Sequence, residues 1–251
     1  FLVAVFSVGY MQSEPDITRF WFLIQLFLGG YLIIVVSGDL LQTFIGWELV
    51  GATCMALASF WYQDQENARI GLKTGLLLRI GDFALLTAIL SIYVSAGAFN
   101  LAELQANPEW LFTLSQSGIL LPTLLLFLVG ILVKAAQFPF QDWLPDMLSA
   151  SPSCFNALTE CLAGPFLFAR LFPLLHGGYL LGVGELSIFF LATAWLGILT
   201  ALLSALLATA QRNINRLLAC SVSSVIGYML VAFGVAALSP DSVPGYLAGT
   251  F

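Results

Sequence analysis

Apolar stretches of membrane-crossing length follow one another along almost the whole chain, and very few folds can accept them. A helix needs about 20 mostly apolar residues to cross bilayer hydrocarbon, where each backbone N–H and C=O must find its partner inside the protein. By that criterion residues 20–37, 40–60, 70–96, 118–137, 153–175, 183–210 and 217–238 are predicted spans, with partial segments at 1–10 and at the closing GYLAGTF. The chain is therefore expected to be an all-α, polytopic membrane protein of seven whole helices and two partial ones. Composition agrees: 60% of residues are hydrophobic and only 9% charged, where a soluble domain carries about a quarter charged. The net charge of -6 rests on so few side chains that it describes loops and buried sites. The lipid bilayer is the expected surrounding, and nucleic acid is not an expected partner.

Ionisable residues inside such runs are costly, so each is a functional hypothesis with a partner to be found. The run GILLPTLLLFLVGILV at 118–133 leads straight into Lys134. Its expected partner is Glu48, isolated within LLQTFIGWELVGATCMALASF. A buried acid and a buried base on two membrane helices, one of them interrupted, suggest ion transfer. The interruption follows Lys134 at Gln137-Phe138-Pro139, and Pro139, Pro145 and Pro152 deny a continuous helix there. Phe138, Phe140, Trp143, Leu144, Met147 and Leu148 are too apolar for a solvated loop, so 138–149 is predicted to be a short half-helix. The fifth span is then discontinuous.

The 70–96 span holds Lys73, Arg79 and Asp82. Arg79 and Asp82 are three apart and share a face, so they are expected to pair. Lys73 lies on another side and looks either to another helix or, snorkelling, to the interface. Glu160, in CFNALTECLAGPFLFAR, is one more acid within a span and a candidate relay. Burial raises a carboxyl's proton affinity and a nearby ammonium lowers it, and a close pair titrates as a unit.

Cys54, Cys154, Cys161 and Cys220 are scattered through apolar segments without paired spacing and read as small core residues. His176, just before Gly177-Gly178, reads as a capping or interfacial residue at a helix end. The chain carries no phosphate loop, no nucleophile triad and no cysteine cluster, so no cofactor is expected in it. Arg19, Arg69, Arg212 and Arg216 fall in odd-numbered loops, which are assigned to the cytoplasmic or matrix side. The 98–117 loop, with Glu103, Pro108 and Glu109, would face the opposite compartment.

Five stretches together resemble a known family: FSVGYMQSEPDITRFW, GDLLQTFIGWELVG, FWYQDQENARIGLKTGLLLRIGDFALL, VKAAQFPFQDWLPDM and AQRNINRLLACSVSSVIGYM. They are similar to the antiporter-like membrane subunits of respiratory complex I, especially the largest, distal one, and to the large subunit of Mrp cation/proton antiporters. The resemblance implies an all-helical proton-translocating subunit without an active site of its own, in which Glu48 and Lys134 form the half-channel pair. Lys73, Arg79 and Asp82 match charges along the hydrated path. It implies other membrane subunits as partners, protons or Na+ as cargo, and an energy-transducing membrane: plasma, thylakoid or mitochondrial inner. Residues 1–251 would be a single transmembrane domain cut from a longer subunit, holding the first half-channel and the start of a second inverted repeat. Two departures stand out: the family's relay histidine is absent, with Glu160 near its place, and the usual DIKR reads Asn213-Ile214-Asn215-Arg216. The missing histidine is also a likeness to the distal subunit of the carbon-dioxide-uptake form of the photosynthetic complex.

Overall fold

The apolar runs do become helices, and the polar residues between them set where each begins and ends. The computed structural model describes residues 1–156 and 162–238; Glu160, Cys161 and GYLAGTF lie outside them. In chain order the described helices are α1 (Leu2–Tyr10), α2 (Ile17–Val36), α3 (Leu40–Ala58), α4 (Gln65–Ala96), α5 (Leu101–Ala106), α6 (Glu109–Gln116), α7 (Leu120–Lys134), α8 (Trp143–Ala150), α9 (Ser153–Asn156), α10 (Ala163–Leu180), α11 (Glu185–Ala210) and α12 (Ile214–Leu238). Asp39 opens α3 by accepting from the amides of Leu41 and Gln42, and Asp64 opens α4 by accepting from Glu66. Such side-chain oxygens satisfy amides that have no partner within the helix. Gly97, at φ 72°, closes α4 in the left-handed conformation that a helix terminus often needs.

Among the described residues α2, α3, α4, α11 and α12 are each long and apolar enough to cross a membrane. Lipid gives no hydrophobic reason for helices to associate, so close packing must supply it. The α2–α3 and α11–α12 hairpins do this through glycine. A Cβ on Gly46 would stand 2.7 Å from the carbonyl of Gly30, and one on Gly197 would stand 2.6 Å from the carbonyl of Gly227. Arg170 of α10 reaches the carbonyls of Ile34 and Val35 at 3.1 and 2.9 Å, placing a cation at the C-terminus of α2.

The fifth predicted span is broken, but the break falls earlier than the prolines suggest. α7 ends at Lys134, and its 15 residues reach only about 22 Å of the roughly 30 Å hydrocarbon. Residues 135–142 are turns, with Ala136 at φ 50°, and α8 starts at Trp143 instead of 138. Pro139 therefore lies inside the turn, while Pro145 is accommodated in the first turn of α8, where its missing N–H costs nothing. The carbonyls freed at the end of α7 are satisfied from within the protein. Leu132 accepts from the amide of Gln137 at 2.8 Å, Val133 from Trp143 Nε1 at 2.9 Å, and Ala135 from Gln137 Nε2 at 2.9 Å. This is the condition on which non-helical backbone survives at membrane depth.

Two further expectations are corrected. The 98–117 loop folds into α5 and α6, and α6 meets α7 at a bend of 110°. Trp110 anchors it, fully inside, donating to the carbonyl of Leu104 at 3.1 Å. The helix holding His176 does not end at Gly177-Gly178 but runs on to Leu180, so this histidine is buried between helices instead of exposed at a terminus. Its Nδ1 lies 3.2 Å from the carbonyl of Ala237 in α12, and its ring stacks on Phe172.

Candidate functional site

Helix α4 carries charge inward by steps. Lys73, Arg79 and Asp82 lie about 12, 21 and 26 Å from its start along the axis, so the helix takes charge from one end of the bundle to its middle. At the deep end Asp82 is buried and meets three helices' worth of partners. Its Oδ1 accepts from the indole Nε1 of Trp47 at 2.9 Å and lies 3.9 Å from Lys134 Nζ, while its Oδ2 lies 3.6 Å from Arg79. Arg79 in turn is paired with Glu48 across to α3. The four side chains form one line, Glu48–Arg79–Asp82–Lys134, crossing from α3 through α4 to the end of α7.

Lys134 is only 1% exposed. Desolvating an ammonium so fully is tolerable only with strong compensation. Its Nζ donates to the carbonyl of Trp47 at 2.9 Å, stands over the Trp47 ring at 5.2 Å from the centroid, and faces Asp82. Space for it comes from Gly51: a Cβ there would stand 2.6 Å from Nζ. Trp47 and Gly51 are four apart and so lie on the same face of α3, which presents a carbonyl, an indole and a gap to the ammonium.

The expected Glu48–Lys134 pair thus becomes the two ends of a chain, with Asp82 as the carboxylate beside Lys134 and Arg79 as the base beside Glu48. Glu48 is not deeply buried: its side chain is 27% exposed and that of Arg79 45%. The expected Arg79–Asp82 pair is present. Lys73 does look to another helix, pairing with Asp146 of α8 at 2.7 Å. Glu160 lies outside the described residues, and Pro139 lies in the turn that follows Lys134.

A second cluster sits at the end of the bundle where α4 and α12 begin. Asp146 takes both Lys73 and Arg216, the latter at 2.8 Å, and so ties α4 and α12 to the short α8. Arg19 and Arg69 lie near the starts of α2 and α4. Beside Asp146 opens a cavity of about 210 Å³ lined by Lys73, Gln141, Asp142, Ser204, Arg216 and Ser223, among others. A site so polar and roomy accepts water. Ser223 continues it inward, since its carbonyl accepts from Gln137 Nε2 at 3.1 Å, and Gln137 follows Lys134 by three residues within the turn. Trp47, Asp146 and Gln137 are the residues that reading the sequence missed. An indole buried beside an intramembrane acid needs an acceptor, and Asp146 is an acid within an apolar half-helix, so both carried a usable signal.

Comparison with known proteins bears on this arrangement. The family model described as NADH:quinone oxidoreductase/Mrp antiporter, transmembrane, matches residues 37–246. The chain is 36% identical over 241 residues to the chloroplast NAD(P)H-quinone oxidoreductase subunit 5 of Adiantum capillus-veneris, covering 94% of this chain and 32% of the relative. It is 34% identical over 246 residues to NAD(P)H-quinone oxidoreductase chain 5 of Synechocystis, covering 95% of this chain and 34% of that one. It therefore spans about a third of the length of these relatives. Among solved structures, the membrane-bound sulfane sulfur reductase, an archaeal respiratory membrane complex, superposes on the whole chain and on 52% of its own, with TM-score 0.79 at 24% identity, a likeness of fold. The Mrp complex from Dietzia superposes on 90% of this chain and 24% of its own, with TM-score 0.73 at 26% identity.

Proposed function

The chain belongs to the NADH:quinone oxidoreductase/Mrp antiporter family of integral membrane proteins, and from that premise we propose that it is a proton-translocating subunit of a complex-I-like oxidoreductase. It works beside other membrane subunits in an energy-transducing membrane, with the electron transfer carried out by its partners. The observation that carries this reading is the unbroken line of four charged side chains ending at a fully buried lysine, at the point where α7 stops short of crossing. A static ion pair would need two members. Four in alternating sign let a charge change at one end alter the proton affinity at the other, because each carboxylate's neighbours set its pKa.

In this reading Lys134 is the group that takes up and releases the proton, and Asp82 stabilises its charged form. Arg79 sets the field on Asp82, and Glu48 is the outer end of the line. Lys73, with Asp146 and Arg216, frames the polar cavity from which water reaches the turn after Lys134. Glu160 keeps its place as a proposed relay. The likeness to the Mrp complex supports one alternative, sodium/proton exchange without an electron donor, and cation-dependent exchange by the isolated complex would favour it. The test of the main reading is proton pumping by the assembled complex in proteoliposomes, comparing wild type with Lys134→Met at matched turnover. Loss of pumping with assembly intact is expected. Unchanged pumping would leave Lys134 as a structural partner of Asp82 and end the proposal.

A further inference from the structure

Trp47 touches both members of the buried pair. Its indole N–H donates to Asp82 Oδ1 at 2.9 Å, and its own backbone carbonyl accepts from Lys134 Nζ at the same distance. The residue is wholly inside, so bulk water competes for neither bond. Between the two groups it holds, a gap remains. Nζ and Oδ1 are 3.9 Å apart, about 1 Å beyond a charge-assisted hydrogen bond of roughly 2.8 Å.

We propose that Trp47 is a positioning residue that holds the Asp82–Lys134 ion pair open. The inference rests on the proton-transfer role of Lys134 proposed above. A lysine that closed onto its carboxylate would be held in its charged form. Shortening the separation from 3.9 Å to about 2.8 Å strengthens the attraction by only about 40%, but at an effective dielectric constant near 20 that multiplies the equilibrium preference for the charged pair roughly ten- to twentyfold. Trp47 resists that closure from both sides. The indole has one donor and no acceptor, so it can only keep Oδ1 where it is. Arg79 lies 3.6 Å from the other oxygen, an ion-pair contact without a hydrogen bond, so the indole supplies the one directional restraint on the carboxylate. The carbonyl of Trp47 accepts from an ammonium or from a neutral amine alike, so Lys134 keeps its place when its charge changes. Tying both restraints to a single residue makes the gap independent of small movements between α4 and α7. The charged groups around the pair are Glu48 from α3 and Arg79 from α4.

The experiment uses the assembled complex in proteoliposomes. Trp47→Phe removes the N–H and keeps an aromatic ring and the carbonyl. 3-Benzothienylalanine at position 47, with sulfur in place of N–H in the same outline, covers the case in which Trp47→Phe does not assemble. The expected result is a fall of up to about ten- to twentyfold in the proton-pumping rate at matched electron transfer, following the change in charged-form preference. The infrared carboxyl band that Asp82→Asn removes is expected to shift when the donor is lost. Residual pumping of Asp82→Asn should be indifferent to the further loss of the indole, because the two act through one contact. Additive losses in the double variant, or an unmoved infrared band, would overturn the proposal. So would wild-type pumping in the Trp47 substitutions beside a dead Lys134→Met, which leaves the lysine's role standing. Wild-type pumping by Lys134→Met would overturn both.

Discussion

Gly51→Ala is the sharpest local perturbation that the buried site allows. An added Cβ would stand 2.6 Å from Lys134 Nζ and 3.9 Å from Asp82 Oδ2. Ordinary contact begins near 3.4 Å, so Nζ must retreat by about 1 Å, and a lysine terminus can do so by changing rotamers. The retreat breaks its hydrogen bond to the Trp47 carbonyl, worth about 1.5–3 kcal/mol for a charged donor. Alanine in mid-helix returns about 0.5–1 kcal/mol relative to glycine. The net loss in stability is therefore only about 1–2 kcal/mol, and the complex should assemble. Function should suffer more, because an error of about 1 Å in placing a reacting group can cost up to about a hundredfold in rate. Proton pumping in proteoliposomes and thermal unfolding of the solubilised complex are measured together, with Gly29→Ala as the control because nothing lies within 4 Å of its added Cβ. A stable Gly51→Ala complex that pumps as the wild type would refute the claim that the amine must sit where Trp47 holds it.

Two other substitutions test the frame around the site. Asp146→Asn removes the acid shared by Lys73 and Arg216, all three partly exposed; such pairs contribute up to about 1 kcal/mol each. Thermal stability should fall by about 1–2 kcal/mol at low salt and by less at high salt, and a loss indifferent to ionic strength would contradict the ion-pair account. Gly227→Val puts a Cβ 2.8 Å from the backbone of Gly197 and Ala201, where nothing flexible can yield. The cost of prying α11 from α12 should exceed about 3 kcal/mol, as for severe packing errors, and be read as loss of the protein from membranes. Normal accumulation would show that the glycine contact is dispensable.

Five of the seven predicted spans, the buried cations and acids, and the interruption after Lys134 were legible in the sequence; 118–137 gives only the short α7, and 153–175 is taken up by α9 and α10 among the described residues. Each is a local property: an apolar run of a given length, a charge where hydrocarbon penalises it, a cluster of prolines. Their legibility has the same physical cause, since a membrane penalises unsatisfied polar groups wherever they occur along the chain. The half-helix boundary was misplaced because Ala136, a residue without turn preference, adopts positive φ, and the carbonyls of Leu132, Val133 and Ala135 are satisfied by residues whose approach the sequence does not announce. His176 was misread for a like reason: whether two glycines end a helix depends on what packs beside them.

Pairing was decided by tertiary structure alone. Trp47 and Glu48 are neighbours in the chain, but successive residues of a helix point about 100° apart. The rotation of α3 in the bundle sends Trp47 inward to Asp82 and Lys134 and leaves Glu48 at the flank with Arg79. From the sequence it follows that buried charges must find partners, because unpaired charge in hydrocarbon costs too much. Which partners they find is set by helix rotation and by glycine contacts, and these come from packing between segments far apart in the chain.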